Sequence, residues 1–125
     1  MRTFETDVYI MTVHDDLLIE FKVKKNRTFR DTDVWQSRDQ SVEYMPGKKF
    51  FVLMEAEENF NATVEARRAG ASEEYTKHVK ALAMYSNKLH ETIMGNMFLK
   101  ISKPKVATKF FDDRNKAIEW LRSQM

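Results

Sequence analysis

The chain has 125 residues, with 21 Lys and Arg against 19 Asp and Glu, and it contains no Cys. This length predicts a single domain over 1–125, and the lack of Cys excludes disulfides, thiolate catalysis and Cys-based metal sites. No apolar run approaches the ~20 residues of a membrane-spanning helix, and the acidic start is unlike a signal peptide, so a cytoplasmic protein is expected. A net charge of +2 is too small to indicate a nucleic-acid partner.

The first predicted element is an antiparallel hairpin formed by residues 8–13 and 17–23. Both runs are rich in β-branched and aromatic residues, and residues 14–16 form a polar break of hairpin length. In the second run apolar residues alternate with Glu20 and Lys22, which is typical of a half-buried strand.

A helix is predicted between Asp31 and Met45. Asp31 is expected to cap this helix through its carboxylate, and Asp33 lies near the positive end of the helix dipole. Its apolar side is interrupted by polar residues. Pro46 and Gly47 then end the helix, because Pro cannot continue it and Gly accepts the turn geometry.

Two short apolar runs predict buried strands. Residues 50–54 are bounded by charged residues and predict a central strand that is covered on both faces. Residues 81–85 predict a second such strand, although their alanines also permit one long helix from Ser72 to His90. We favour the strand because this run of small and apolar residues needs cover on all sides.

Three further helical patterns follow in the second half of the chain. One covers 62–68 and is broken at Gly70, with a second helix start at Ser72. Another runs from Lys88 to Ile101 and has a wide apolar arc, so it should be buried on much of its circumference. The last closes the chain after Asp112 or Asp113, one of which is expected to cap it. Its inward residues are predicted to be Ala117, Ile118, Trp120 and Leu121.

A final strand is predicted over 106–111, between the last two helices. The resulting order is β-β-α-β-α-β-α-β-α. Strands that alternate with helices predict an α/β domain with a mixed sheet of about five strands and helices packed against it.

This order resembles the STAS domain (sulphate transporter and anti-sigma-factor antagonist), and in particular the small stand-alone STAS-like proteins of bacteria, which carry a STAS or lipid-carrier (CRAL-TRIO-like) label. The segments that carry the resemblance are TVEARR (63–68), KALAM (80–84), GNMFLK (95–100), KP (103–104), TKFF (108–111) and AIEWL (117–121). The resemblance implies a STAS-like fold and a non-enzymatic, cytoplasmic, often dimeric protein.

Regulatory STAS domains present a phosphorylatable Ser or Thr in an Asp-Ser-(Ser/Thr)-Gly-like turn, at the N-terminus of the helix after the central strand. A helix N-terminus suits a phosphoryl group because its free N–H groups and its dipole favour negative charge. The matching stretch here, 55–63, has neither an Asp-Ser pair nor a Gly, and its three glutamates would repel phosphate. The resemblance therefore leaves Thr63 as the candidate phospho-acceptor.

Six apolar residues form the candidate ligand-binding or partner-binding surface. They are Met84, Met94, Met97, Phe98, Phe110 and Trp120. Met adapts to irregular shapes, so such a set can line a pocket or a partner surface, with an ordinary core as the alternative interpretation. The apolar arc of 88–101 is wider than one sheet face normally covers, which favours a homodimer or contact with another protein.

Residues suited to catalysis or metal binding are sparse. The three histidines do not lie at metal-ligand spacing, there is no Gly-rich phosphate loop, and the glutamates of 55–58 are interpreted as solvated loop charges. A basic set is interpreted as the protected edge of a sheet rather than a phosphate or lipid site. Its members are Arg67, Arg68, Lys100, Lys103, Lys105 and Lys109.

The sequence therefore predicts a non-enzymatic binding or regulatory module that acts through protein–protein contacts and uses no cofactor. The alternative function is a carrier or sensor of a small apolar molecule or lipid, bound between the late helices and the sheet.

Overall fold

A computed structural model describes residues 2–14, 17–24, 26–55, 61–86 and 105–125. The strands are β1 (Arg2–Glu5), β2 (Tyr9–Val13), β3 (Leu18–Val23), β4 (Thr28–Phe29), β5 (Phe50–Glu55), β6 (Asn61–Ala62), β7 (Val79–Tyr85) and β8 (Ala107–Phe111). The helices are α1 (Asp31–Tyr44), α2 (Val64–Gly70), α3 (Glu73–Thr76) and α4 (Arg114–Ser123). These elements form the predicted α/β fold, with helices against a mixed sheet.

Six strands form the main sheet, in the order β1-β2-β3-β5-β7-β8. The pairs β1–β2 and β2–β3 are antiparallel, as the predicted hairpin requires for the second of them, and the pairs β3–β5, β5–β7 and β7–β8 are parallel. Residues 79–85 are a strand, so the alternative of one helix from Ser72 to His90 is wrong. The short parallel pair β4–β6 and the edge strand β1 were not predicted, because neither carries a clear alternating pattern.

Helix α1 begins one residue away from the expected cap. Arg30 is the extended N-cap residue, and Asp31 is already helical. The carboxylate that closes this turn belongs to Asp33, whose Oδ2 accepts a hydrogen bond from the Arg30 backbone N–H at 2.8 Å. The expectation that Asp31 caps the helix is therefore wrong, because the third helical residue reaches back to the first free N–H.

Small polar residues bring α1 close to the sheet. Ser37 and Ser41 are buried beside Val34, at positions where an apolar stripe would place larger side chains. The Ser37 hydroxyl donates to the Val34 carbonyl at 2.8 Å, and the Ser41 hydroxyl donates to the Ser37 carbonyl at 2.7 Å. These bonds satisfy both hydroxyls inside the helix, so their burial leaves no unpaired donor.

The central strand β5 has one core on each side. Phe50, Val52 and Met54 belong to the core under α1 and α2, whereas Phe51 and Leu53 belong to the core under α4. This burial on both faces confirms the prediction of a central strand made from the continuous apolar run.

Helix α4 packs on its side of the sheet through two buried residues. Ala117 and Leu121 are completely buried, and they pack with the alanines of β7. Asp113 is the cap, since its Oδ1 accepts from the N–H groups of Asn115 and Lys116 at 2.6 and 3.2 Å. Both the closing helix and an aspartate cap are thus confirmed. The predicted helix over 88–101 lies outside the described residues.

None of the helices formed by the described residues is long and apolar enough to cross a membrane.

Candidate functional site

The sheet divides the apolar set that the sequence singled out. Met84 is in register with Phe110 across β7 and β8, and Met84 packs against the core under α1. Trp120 instead packs on the α4 side, with its ring 5.8 Å from that of Phe111. The structure therefore does not bring Trp120 to the face that carries Met84 and Phe110. The remaining members, Met94, Met97 and Phe98, lie outside the described residues.

Thr63 lies at the N-terminus of α2, the helix that follows the central strand along the chain. Its Oγ1 accepts a hydrogen bond from the Ala66 backbone N–H at 3.0 Å, so the hydroxyl is the N-cap of this seven-residue helix. Its backbone N–H donates to the Phe29 carbonyl at 3.0 Å. The hydroxyl is thus half-buried and used in capping, and a phospho-acceptor role for it stays a prediction.

The basic residues are divided as well. Lys105 is placed beside α2 and α3 by its backbone N–H, which donates to the Ala71 carbonyl at 3.0 Å. Lys109 lies on the opposite side of the sheet, where its Nζ is 5.3 Å from the centre of the Phe111 ring. Lys100 and Lys103 lie outside the described residues, as do Glu57 and Glu58. In the ranges that the structure describes, no group of His, Asp and Glu converges to hold a metal ion.

Helix α4 covers one half of its side of the main sheet. It packs on β5, β7 and β8, and a helix about 10 Å wide spans only two or three strands spaced ~4.8 Å apart. The same side of β1, β2 and β3 carries mainly polar residues, because paired residues of antiparallel strands share a face. We call this surface the open half-face. Its members are Thr3, Glu5, Ile10, Thr12, Glu20 and Lys22.

The open half-face is accessible to solvent. Thr3, Glu5 and Lys22 are exposed, while Ile10 and Thr12 are half-buried between them. At its outer border Lys24 Nζ lies 2.6 Å from Glu5 Oε2 and holds that carboxylate in place. The surface thus combines a small apolar centre with charges of both signs.

Glu20 forms the inner border of the open half-face, against α4. Arg114, the first residue of α4, donates to both carboxylate oxygens, from Nε to Oε2 and from Nη2 to Oε1, each at 2.9 Å. His14, which directly follows β2, has Nε2 at 3.2 Å from Oε1 of the same carboxylate. This arrangement, which we call the Glu20 cluster, joins β2, β3 and α4.

The electrostatics of the Glu20 cluster follow from this geometry. The hydrogen bonds from Arg114 are the main reason that the pKa of the Glu20 carboxyl is lowered, with help from His14 and against the cost of burial. The same bonds raise the pKa of Arg114, to which Tyr85 also contributes. Without Glu20, a cation at the first residue of α4 would oppose the helix dipole. The sequence signal for this cluster is weak, because its two main members are 94 positions apart.

Glu20→Gln is expected to lower the free energy of unfolding by about 1 kcal/mol at neutral pH, since a charge-assisted bidentate pair that is partly exposed contributes at that level. Because the folded-state pKa of Glu20 is lowered, its contribution is present above the pKa of the unfolded chain and is lost as the pH falls through the folded value. Urea unfolding at about pH 7 and about pH 3 measures both effects.

The matched control for this test is Glu119→Gln, which removes an exposed carboxylate of α4. The control is expected to leave the free energy of unfolding within about 0.5 kcal/mol of the wild type. If Glu20→Gln behaves like the control at both pH values, the Glu20 cluster does not hold α4.

Comparison with solved structures places this fold among known ones. The chain is similar to an uncharacterised protein of the DUF3478 family from Shewanella loihica PV-4, which has a SpoIIAA-like fold. The TM-score is 0.58 at 19% sequence identity, and the match covers 94% of this chain and 98% of the other. At this identity the likeness concerns the fold, and it agrees with the STAS-like domain expected from the sequence.

None of the curated proteins matches the sequence. A family model does match, over residues 11–125, and its description reads "Domain of unknown function (DUF7793)". The match begins within β2 and continues to the end of the printed sequence. The chain therefore belongs to the family DUF7793, with a SpoIIAA-like, STAS-like fold.

Proposed function

We propose that this chain is a non-enzymatic binding module that acts by protein–protein contact through the open half-face. The observation that carries the proposal is the exposure of Thr3, Glu5 and Lys22 on a sheet surface beside α4. Rigid strands hold these side chains at fixed spacing, which suits recognition of one partner orientation. The partner is a second copy of the chain or another protein.

The composition of the open half-face supports this role. Ile10 lies opposite Glu5 on one side and Lys22 on the other, so a half-buried apolar residue is flanked by both charge signs. Protein interfaces commonly have an apolar centre with a polar rim. Complementary charges at such a rim fix the orientation of the partner and speed its association.

The state of Glu20 supports a structural role for this carboxylate rather than one as a general acid or base. A general acid or base at neutral pH works best with a pKa near 7. The carboxyl of Glu20 is shifted in the opposite direction, and Arg114 bonds to both of its oxygens. This carboxylate therefore acts as a fixed ionic contact that ties α4 to the sheet.

The size of the open half-face sets a further condition. Three strands of four to six residues cover roughly 15 by 17 Å, or about 250 Å². A stable complex buries about 800 Å² on each partner. The contact must therefore extend over the adjoining surface of α4 or the edge of β1, or else be transient.

Charge reversal on the open half-face provides the test. Lys22→Glu is expected to abolish the complex that the wild-type protein forms when it is purified from its source cells, as measured by native mass spectrometry. Lys105→Glu is the matched control, because this exposed lysine lies beside α2 and α3, away from the open half-face. The observed mass distinguishes a homodimer from a complex with another protein.

Two results would overturn the proposal. One is a wild-type protein that is a strict monomer at high concentration and carries no bound protein. The other is a complex that survives Lys22→Glu as well as it survives the control, since contact through the open half-face cannot tolerate that reversal.

A further inference from the structure

A groove lies at the end of the sheet where β3, β5 and β7 begin. Its walls are formed by Leu17, Lys49, Phe51, Lys80 and Met125, and they enclose about 520 Å³ that is open to solvent. Because the groove is open, a molecule bound in it would remain partly exposed to solvent. The groove lies between Met125, which follows α4, and the sheet, apart from the open half-face.

The backbone at Leu17 is strained. Its φ is +68°, in the left-handed region that Gly and Asn adopt much more readily than Leu. The Leu17 carbonyl accepts a hydrogen bond from the Phe51 N–H at 3.0 Å, which fixes this conformation at the start of the strand pair. Residues with a strained backbone cluster at ligand sites, where the strain holds the side chain in position to contact a ligand.

The floor and one wall of the groove are apolar. Phe51 is buried, and the partly buried Leu17 packs against the core to which Phe51 belongs. Met125 is 49% exposed, one of the two large apolar side chains that stand out on the described surface. Its flexible thioether can adjust to a neighbouring hydrocarbon chain. An alkyl chain placed here would remove apolar surface from water, which is favourable by about 25 cal/mol for each Å².

The two polar lining residues carry the same charge. Lys49 and Lys80 are both exposed, and no acidic side chain is among the residues of the described ranges that line the groove. Two ammonium groups beside an apolar trough complement a ligand with an anionic head and a hydrocarbon tail. A neutral apolar ligand would leave both lysines unused, and a small inorganic anion would leave the trough unused.

From these features we infer that the groove binds a single-chain anionic amphiphile, of the chemical class of a medium-chain fatty carboxylate. The carboxylate accepts hydrogen bonds from the ammonium groups of Lys49 and Lys80, and the alkyl chain lies along Leu17, Phe51 and Met125. This site goes beyond the proposed protein contact, and neither depends on the other.

The test uses dodecanoate, below its micelle concentration, as the probe. Protein labelled with ¹³C-methyl Met is titrated, and the Met125 methyl resonance, assigned with Met125→Leu, reports occupancy. Saturable binding of dodecanoate is expected. Butyrate and dodecanol should each bind roughly tenfold or more weakly, because butyrate lacks the long alkyl chain and dodecanol lacks the carboxylate.

Two variants in the groove and two control variants locate the site. Lys80→Glu reverses an exposed charge and is expected to weaken dodecanoate binding by roughly tenfold or more. Leu17→Asn keeps a residue that tolerates the left-handed backbone but removes the apolar wall, and it is expected to weaken binding as well. Lys105→Glu and Lys22→Glu are expected to leave binding unchanged, so failure of this site is distinguishable from failure of the proposed function.

Several outcomes would overturn the inference. Equal binding of dodecanol shows apolar association alone, and equal binding of butyrate shows ion pairing alone. Binding to vesicles of anionic phospholipid without binding to free dodecanoate indicates a membrane surface instead. Unchanged affinity in Lys80→Glu, with Leu17→Asn folded by circular dichroism and also unchanged, places any bound dodecanoate elsewhere.

Discussion

Leu121→Ala is expected to lower the free energy of unfolding by about 2.5–5 kcal/mol, the cost of truncating a buried Leu that leaves a cavity. Leu121 is completely buried against Leu53 and the alanines of β7. The effect should lie at the upper end of the range, because Ala117 is the other residue of this ten-residue helix that is buried. Loss of the Leu121 side chain removes the larger of these two buried contacts between α4 and the sheet.

Urea denaturation followed by circular dichroism measures this change. Glu119→Ala, at an exposed position of the same helix, is the control and should remain within about 0.5 kcal/mol of the wild type. A cost below about 1 kcal/mol for Leu121→Ala would show that α4 contributes little to the fold, and that the described packing of this helix is wrong.

Ala83→Leu is expected to destabilise the protein by about 1–3 kcal/mol, by overpacking rather than by a cavity. Ala83 is completely buried in β7 where α4 crosses it. Three added carbon atoms there have no space unless the helix moves outward. The contact between Trp120 and Phe111, at 5.8 Å, should then loosen.

Trp120 fluorescence reports this movement when Trp35 is replaced by Phe. A red shift is expected for Ala83→Leu, because the indole gains contact with water. Ala107→Leu is the matched control, since this exposed alanine lies on the next strand, on the same side of the sheet. Equal stability and equal emission in the two variants would contradict the close approach of α4 to β7.

Much of the fold could be predicted because its strongest signals are local. The apolar run of β5, the alternation in β3 and the turn at Pro46-Gly47 each follow from a few adjacent residues. Gly47 has a positive φ of 75°, as the expected turn requires. The strand interpretation of 81–85 also depended on a local feature, a short run of small and apolar residues that are all buried or half-buried.

The features that were missed depend on contacts between distant residues. Strand β1 has a single apolar residue, Phe4, and it forms only because β2 offers a free edge. In the sequence Ser41 interrupts the apolar side of α1, yet both Ser41 and Ser37 are buried beside Val34. Burial of such small polar residues depends on how closely the sheet approaches, which composition does not indicate.

The candidate site was predicted less well than the fold, for two physical reasons. Neighbouring residues of a strand point to opposite faces, so a cluster in sequence such as Phe110 and Phe111 is separated by the sheet. The Glu20 cluster and the open half-face arise from strand register and from the position of α4. Neither is visible until the chain is folded.

The binding role of the open half-face is tested most directly by comparing the solvent accessibility of this surface with that of the sheet under α4. The chain has no Cys, so a single introduced thiol reports its own position by its rate of reaction with a maleimide. In the monomer, freed of any partner, thiols in Thr3→Cys and Lys22→Cys are expected to react at nearly the rate of the unfolded chain. The thiol in Ala83→Cys should react roughly a hundredfold more slowly, since it must wait for local opening of α4. Equal protection at all three positions in the monomer would show that the chain itself covers β1–β3, and would contradict a binding role for the open half-face.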